Sequence, residues 1–587
     1  MNPTILRKFD FPEGMIAGWQ TAGINKLLPI QQKAINKYGL FEGKNLLVSA
    51  PTSSGKTIIG ELAAIYRALH QERSVYLVPT KALAEEKYQS FCDRYKDFSI
   101  NVVISSRDHR DHDLELGRGD FQIAIIVYEK FIQLLNNEAS FLSRIKLVIV
   151  DELQLLADSE RGPDIELLLT RLKMEGNRVQ LIGLSAVIGN SNVLPEWLNA
   201  DIISESRRPV ELRTGYISAG IFHYRTFNEG DEGSEEIIPG LSGSKQEQML
   251  AIARTLSENN EQCLMFLPDK ESTRVMADKL SEELSCPASE EAIFELKELE
   301  ESKSRDLLLN TLRRGIAFHN SDLSPEERNI VERYFRKQEI RVLVSTTTLA
   351  MGVNLPAKNV LIDLQFWKSS SAHQYYKDHM RRSDFDNIAG RAGRFGLEDD
   401  FGRAITIATS CLEEEQFRRI YWDGSYENIR PQLWEGSMAT AVMNAVGLGG
   451  CSTLFQIKEF LRNSLSWKLN SKDEKQSQHL EKGIKDCIDA GVMMNSGDMV
   501  KLTELGKAAA GAGIKVETVW FAVNWLKCRL TYGLVNALEV LFMASVSEDG
   551  LDAYLNFSGT SFRQNRQVLE SESARIWGWR TIKLWKK

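Results

Sequence analysis

The chain has 587 residues, 43% of them hydrophobic and 26% charged, with a formal net charge of −8. That length suits roughly three to five domains, since a single core seldom outgrows about 250 to 300 residues. The acidic balance excludes a globally basic nucleic-acid binder, so any grip on a phosphate backbone must come from a local groove.

The apolar runs are short, and the opening MNPTILRKFDFPEG has neither a basic n-region nor an apolar h-region. A cytoplasmic protein without membrane contact is therefore expected. Seven scattered cysteines form no CxxC pair, which argues against a structural zinc or an iron–sulfur cluster.

In chain order, the first informative stretch is Leu28-Pro-Ile-Gln-Gln-Lys-Ala-Ile35. A glutamine amide carries one acceptor and a paired donor, matching the Hoogsteen edge of adenine, so Gln31 is a candidate base reader. A solvated helix start explains the same residues. Next, the apolar run Leu46 to Val48 reads as a buried strand and breaks into Ala50-Pro-Thr-Ser-Ser-Gly-Lys-Thr57, after which Ile58, Leu62, Ile65 and Leu69 fall at helical spacing. Strand, phosphate loop and helix follow one another. Pro51, Thr52, Ser53, Ser54 and Gly55 form a turn whose small residues let backbone N–H groups face a polyphosphate at the positive end of a helix. Lys56 is placed to reach the β- and γ-phosphates of ATP, and Thr57 to complete a Mg2+ shell. Ala50 replaces the first glycine of the general GxxxxGK[ST] pattern, and a plain polar turn is the alternative.

Alternating apolar runs (75–78, 101–104, 123–127, 147–150 and 180–184) and helical stretches point to a mainly parallel sheet covered on both faces. Ligands of such sheets gather at the carboxyl ends of the strands. One end, Val148-Ile-Val-Asp-Glu-Leu-Gln154, carries paired carboxylates: Asp151 to hold magnesium through water and Glu152 to orient the attacking water. A helix-capping pair is the alternative. Leu184-Ser-Ala-Val-Ile-Gly-Asn190 is a second strand end, whose Ser185 links nucleotide state to a neighbouring domain unless it is an ordinary turn.

The ordered set LLPIQQKAI, APTSSGKT, VPTKALAEEK, DELQ and LSAVIGN resembles the first motor domain of a superfamily-two helicase. Within that superfamily it is most similar to the Ski-like branch, which includes archaeal Hel-type repair helicases. The resemblance continues through Leu194-Pro-Glu-Trp-Leu-Asn-Ala200 and Arg208-Pro-Val-Glu-Leu212. Gly315 to Asn320 is similar to the family's AFHH segment, Thr346 to Pro356 to its fifth motif, and Asp386-Asn-Ile-Ala-Gly-Arg-Ala-Gly-Arg394 to its arginine-finger motif. It implies that Arg391 and Arg394 reach the γ-phosphate from the second motor domain, and that Gly352 and Asn354 line the nucleotide cleft. Backbone contacts to the nucleic acid fall near Pro79, Thr80, Lys81, Thr346 and Thr347.

The implied fold is α/β: two tandem RecA-like parallel-sheet motor domains, then a winged-helix-like domain and a short C-terminal helical segment. The expected boundaries are 1–212 for the first motor domain, 213–246 for a Gly-, Ser- and Glu-rich linker, 247–412 for the second motor domain, 413–515 for the winged helix and 516–587 for a partial ratchet-like segment. The helix–hairpin–helix pattern around Asn495-Ser-Gly-Asp498 carries the winged-helix expectation, with any small α+β lobe as the alternative. Residues 562–587 interleave Trp577, Trp579 and Trp585 with a net charge of +5, which suits single-strand stacking or an amphipathic terminal helix.

Three departures from the family stand out. Gln154 replaces a histidine thought to couple hydrolysis to the second domain, Asn387 replaces a glutamine, and Val187 replaces a threonine. The family's strand-separating hairpin has room only between Phe366 and Ser383, where no turn signal is legible. The function implied is an ATP- and magnesium-dependent helicase or translocase moving 3′-to-5′ on single-stranded or tailed duplex DNA. The alternatives are a Ski-like RNA helicase, or a non-unwinding motor subunit of a larger repair or defence complex whose protein partner supplies the missing C-terminal helices.

Overall fold

The computed structural model describes residues 2–551 other than 107–111, 187–188, 190–191, 285, 348–354, 370–374, 394–399, 471–473, 532, 534 and 536. Two compact units divide them. One runs to Phe131 and adds Leu142–Ala157 and Leu172–Arg430; the other comprises Ile132–Phe141, Asp158–Arg171 and the chain from Pro431 onward.

The first unit holds two sheets, each with its own core. Seven strands, β1 (Leu46–Ser49), β2 (Ser74–Val78), β3 (Val102–Ser105), β4 (Ile123–Val127), β5 (Leu147–Val150), β6 (Gln180–Ser185) and β7 (Asp201–Ser204), pair in the order β3-β4-β2-β5-β6-β1-β7. Every pairing is parallel. Their near-continuous apolar sequences reflect burial on both faces, where an alternating pattern would strand polar groups under a helix. Helices α1 (Pro29–Asn36), α2 (Lys56–Leu69) and α3 (Lys81–Tyr95) pack against this sheet.

The second sheet has eight strands. They are β8 (Glu211–Ser218), β9 (Ile221–Thr226), β10 (Glu232–Glu236), β11 (Cys263–Leu267), β12 (Ile316–His319), β13 (Val342–Thr346), β14 (Asn359–Ile362) and, after a separate hairpin, β17 (Phe401–Ile407), in the order β10-β9-β8-β17-β14-β11-β13-β12. Helix α4 (Pro325–Arg336) follows β12 and starts on a capping box, with the Ser324 N–H donating to Glu327 at 2.8 Å and Glu327 N–H donating to the Ser324 hydroxyl at 3.1 Å.

Residues 213–246, expected as a linker, instead supply most of β8 and all of β9 and β10. The reason is packing. Gly215 is a close-approach residue in β8, since a Cβ there would stand 1.9 Å from the His223 carbonyl oxygen of β9, and Ala219 and Gly220 turn the hairpin with φ of 48° and 87°. The acidic β10 is an exposed edge strand, held in place where Arg403 of β17 donates to Glu235 at 2.6 Å.

The hairpin is β15 (Gln365–Ser369) with β16 (Tyr375–His379), antiparallel from Gln365 opposite His379 to Ser369 opposite Tyr375. A strand pair thus occupies the interval in which the sequence offers no turn signal. Its base is pinned by the Tyr421 hydroxyl, which donates to the Met380 carbonyl at 2.7 Å.

In the second unit, helices α6 (Met438–Gly447) and α7 (Glu474–Asp489) pack at Gly483, where a Cβ would meet Met438 Cγ at 2.7 Å. Strands β18 (Met493–Ser496) and β19 (Met499–Leu502) form a hairpin turned at Gly497, and the Thr503 hydroxyl caps the next helix, Glu504–Ala512. This is the helix–hairpin–helix order of a winged helix. Helices Val516–Leu530 and Ala537–Ser545 come next, and Trp577, Trp579 and Trp585 lie outside the described residues. No described helix is long and apolar enough to cross a membrane.

Candidate active site

The chemistry-bearing residues collect at the carboxyl ends of the parallel strands. After β1 the chain turns through a loop in which Ser53 and Gly55 take left-handed φ values of 69° and 86°. Glycine is required at position 55, because a Cβ would stand 2.4 Å from Gln31 Nε2 and 2.8 Å from Leu28 Cδ1. The loop wraps its own lysine: Lys56 Nζ donates to the carbonyls of Ala50 at 2.5 Å and Pro51 at 3.0 Å, and the Ser54 hydroxyl donates to Pro51 at 2.6 Å. Among the described residues the buried Ser53 hydroxyl has no hydrogen-bond partner, an orphan that a phosphate oxygen would satisfy. Gln31 sits beneath the loop, accepting from Leu28 N–H at 2.8 Å and donating to the Gly55 carbonyl at 3.2 Å. Its amide thereby ties α1 to the loop.

At the end of β5, Asp151 is buried and Glu152 follows with a left-handed φ of 57°. Asp151 accepts from the Glu152 N–H at 3.1 Å and from the Tyr76 hydroxyl at 3.2 Å, and Lys87 Nζ lies 3.5 Å away. Burial and the neighbouring Asp151 push the Glu152 carboxyl above the usual glutamate range, while Lys56, Gln154 and Arg391 pull it back. Gln154 links two of the expected residues: its amide N–H donates to Glu152, and its oxygen accepts from the Ser185 hydroxyl at 2.9 Å. Among the described residues no three His, Cys, Asp or Glu side chains converge as a metal cage. The Thr57 hydroxyl and the Asp151 carboxylate are hard oxygen donors, a set that fits an ion held mostly by phosphates and water, as magnesium is.

The second sheet contributes a clamp. Helix α5 (Arg382–Ala389) ends at Gly390, where a Cβ would stand 2.7 Å from both Cβ and Oγ1 of Thr52 in the phosphate loop. Gly390 thus lets the two motifs touch. Arg391 is buried beside this contact, close enough to lower the Glu152 pKa. The backbone that carries it is gathered by one guanidinium: Arg208 Nη2 donates to the carbonyls of Gly390 at 3.3 Å, Ala392 at 2.8 Å and Gly393 at 3.4 Å. Within α5, burial pushes the Asp386 carboxyl up to about 6.

Of the expected strand contacts, Pro79 and Thr80 join β2 to α3 and Lys81 opens α3, with the Thr80 hydroxyl accepting from Leu83 N–H at 3.3 Å as the helix cap. Thr346 ends β13 and Thr347 comes directly after it, the corresponding position on the second sheet. Gly352, Asn354, Arg394 and Val187 lie outside the described residues.

The model of the DEAD/DEAH box helicase family matches residues 28–194, and that of the helicase conserved C-terminal domain matches 244–396. An ATP-dependent DNA helicase Hel308 from Pyrobaculum calidifontis is 32% identical over 508 residues, covering 84% of this chain and 69% of the relative. This chain belongs to the Hel308 family of ATP-dependent DNA helicases. Other Hel308 relatives, from Caldivirga maquilingensis and Pyrococcus horikoshii, are 32% and 33% identical over 86% and 79% of the chain, which spans 65% and 62% of their lengths.

Two residues of this Hel308-family chain escaped the sequence reading. Arg208 was visible only as part of Arg-Pro-Val-Glu-Leu, with its partners up to 185 residues away. Lys87 had a local signal, since it interrupts the inward face of α3 made by Ala84, Phe91 and Tyr95.

Proposed function

We propose that the chain couples ATP hydrolysis to 3′-to-5′ movement along a DNA strand and separates tailed duplexes. The observation that carries this reading is the contact of Gly390 with Thr52, which brings the arginine-bearing loop of one sheet against the phosphate loop of the other. In the proposed chemistry, Lys56 and Arg391 stabilise the charge developing on the transferring phosphoryl group. Glu152, with its raised proton affinity, takes a proton from the attacking water as the bond from γ-phosphorus to the ADP oxygen breaks. A magnesium ion bound by Thr57 and Asp151 would neutralise the phosphates. Arg394, Gly352 and Asn354 are assigned to the same cleft on the family pattern.

Gln154 and Ser185 are proposed to pass the state of Glu152 toward the second motor domain, supported by their shared hydrogen bonds. Contacts of Pro79, Thr80, Lys81, Thr346 and Thr347 with the backbone would let the two sheets alternate their grip, without reading sequence. The hairpin β15–β16 lies between the fifth and sixth motifs, where family members carry the strand-separating element. The domain division proposed has a first motor domain in 1–210, a second from β8 to 430 with 213–246 reassigned to its sheet and 413–430 packed on its core, a winged helix in 431–515 and a ratchet-like segment from 516.

The test is ATP turnover with and without single-stranded DNA, then unwinding of 3′- and 5′-tailed duplexes. DNA-stimulated turnover with 3′-tailed unwinding is the expected result; stimulation by RNA alone, or unwinding from 5′ tails, would overturn it. Lys56→Ala should lower turnover by about 100-fold or more while leaving strand binding intact.

A further inference from the structure

The helix that begins at the proposed strand contacts runs directly to the proposed metal carboxylate. Helix α3 is capped by Thr80, and its buried positions are Ala84, Lys87, Phe91 and Tyr95. Three of these are apolar or aromatic; the fourth is a lysine with only 8% side-chain exposure. Lys87 Nζ lies 3.5 Å from Asp151 Oδ2 and 4.3 Å from the centroid of the Tyr76 ring, whose hydroxyl donates to the same oxygen. A methionine would fill this position without desolvating a charge, and a buried ion pair is in general no more stabilising than well-packed apolar groups. Stability alone does not account for the lysine.

The same face of α3 carries a second charged tie. Arg94, two turns beyond Lys87, bonds Glu61 of the phosphate-loop helix α2, and Tyr95 donates to the same carboxylate while accepting from Trp19 Nε1 at 2.8 Å. One helix therefore touches the end of β5 through a buried ionic contact and the helix behind the phosphate loop through a part-buried one. From Thr80 to Lys87 the rise is only about 10 Å along a continuous helix, so a displacement at its start reaches Asp151 without passing through a loop.

We propose that Lys87 is a positioning residue that transmits occupation of the strand site to Asp151. This rests on the reading of the chain as an ATP- and DNA-binding motor. With the pair intact, the ammonium offsets the charge of Asp151. When a strand engages Pro79 to Lys81, α3 shifts and carries the ammonium relative to the carboxylate, which changes the charge offered to a divalent ion on ATP. The coupling is reciprocal, so nucleotide must alter strand affinity by the same factor.

The test is equilibrium anisotropy of a fluorescent single-stranded oligonucleotide, with and without AMP-PNP and magnesium. The native chain should show strand affinities differing about fivefold or more between the two conditions. Lys87→Met should reduce that ratio below about twofold, Lys87→Arg should retain much of it, and Tyr76→Phe, which removes a bond to the same oxygen from outside α3, should leave it within about twofold of native. A native-like ratio in Lys87→Met, or an equal loss in Tyr76→Phe, would overturn the proposal. A native chain that binds no strand, or no nucleotide, would instead remove the underlying motor reading. If Lys87→Met does not fold, lysine labelling of the native chain read by mass spectrometry decides: Lys87 should change its reactivity at least about threefold on adding strand, and an unchanged reactivity overturns the proposal.

Discussion

The two sheets of the first unit hold their chemistry by different means. On the first sheet the backbone itself is strained at Ser53 and Glu152, which take left-handed conformations on either side of a lysine folded into its loop, while Gly55 takes its left-handed turn without strain. On the second sheet a clamp does the work: the loop bearing Arg391 is gathered by three hydrogen bonds from Arg208. A strained loop would preset the groups proposed to receive phosphates, at a cost of order 1 to 3 kcal/mol per strained residue. A side-chain clamp fixes a loop while leaving it part of a body that can approach or withdraw. The contrast suits a site in which one side binds and the other arrives.

Arg208→Ala should have the largest effect among changes made outside the phosphate loop and Arg391. Turnover should fall about 10- to 100-fold, because misplacing a catalytic group by about 1 Å costs that much, while nucleotide affinity measured by fluorescence titration stays within about threefold. Equal loss of both would mean the clamp supports the fold rather than Arg391.

Gly55→Ala tests the strained side. The new Cβ at a φ of 86° has Gln31 Nε2 2.4 Å away, so the protein should lose about 1 to 3 kcal/mol in thermal unfolding and bind nucleotide roughly tenfold more weakly. An unperturbed variant would show that the loop adapts freely.

Asp386→Asn should leave turnover least changed, and its effect on stability depends on pH. Burial holds the Asp386 carboxyl at about 6, above the usual aspartate value near 3.8. Its folded pKa is raised, so its contribution to stability is fully present below the unfolded pKa and is lost as pH rises through about 6. Above that, the half-buried carboxylate destabilises α5 by roughly 3 kcal/mol at most. The asparagine variant should flatten the pH dependence of unfolding between about pH 4 and 7; an unchanged slope would place the carboxylate in water.

The first sheet was almost wholly legible in the sequence because its strands are unbroken apolar runs and its loops carry residue types that only phosphate and metal chemistry requires together. Lys56, Asp151, Glu152, Gln154 and Ser185 lie where those motifs put them. The second sheet was harder to read, since Gly215 and Gly220 carry the same letters as a linker but serve a close approach and a hairpin turn. The β15–β16 hairpin falls in the interval with room for it, where the sequence shows no turn signal; its strands pair from Gln365 opposite His379 to Ser369 opposite Tyr375, with Met380 held at the base. Arg208 and Lys87 act through partners distant in sequence, which no local pattern reports.

The most direct test of the account is single-turnover ATP hydrolysis by Arg391→Ala in the presence of single-stranded DNA, with nucleotide binding measured in parallel. If the arginine of the second sheet completes the site of the first, nucleotide binds within about threefold of native while hydrolysis slows by on the order of 1,000-fold. Hydrolysis within about tenfold of native would contradict the account, because the phosphate loop would then be acting alone.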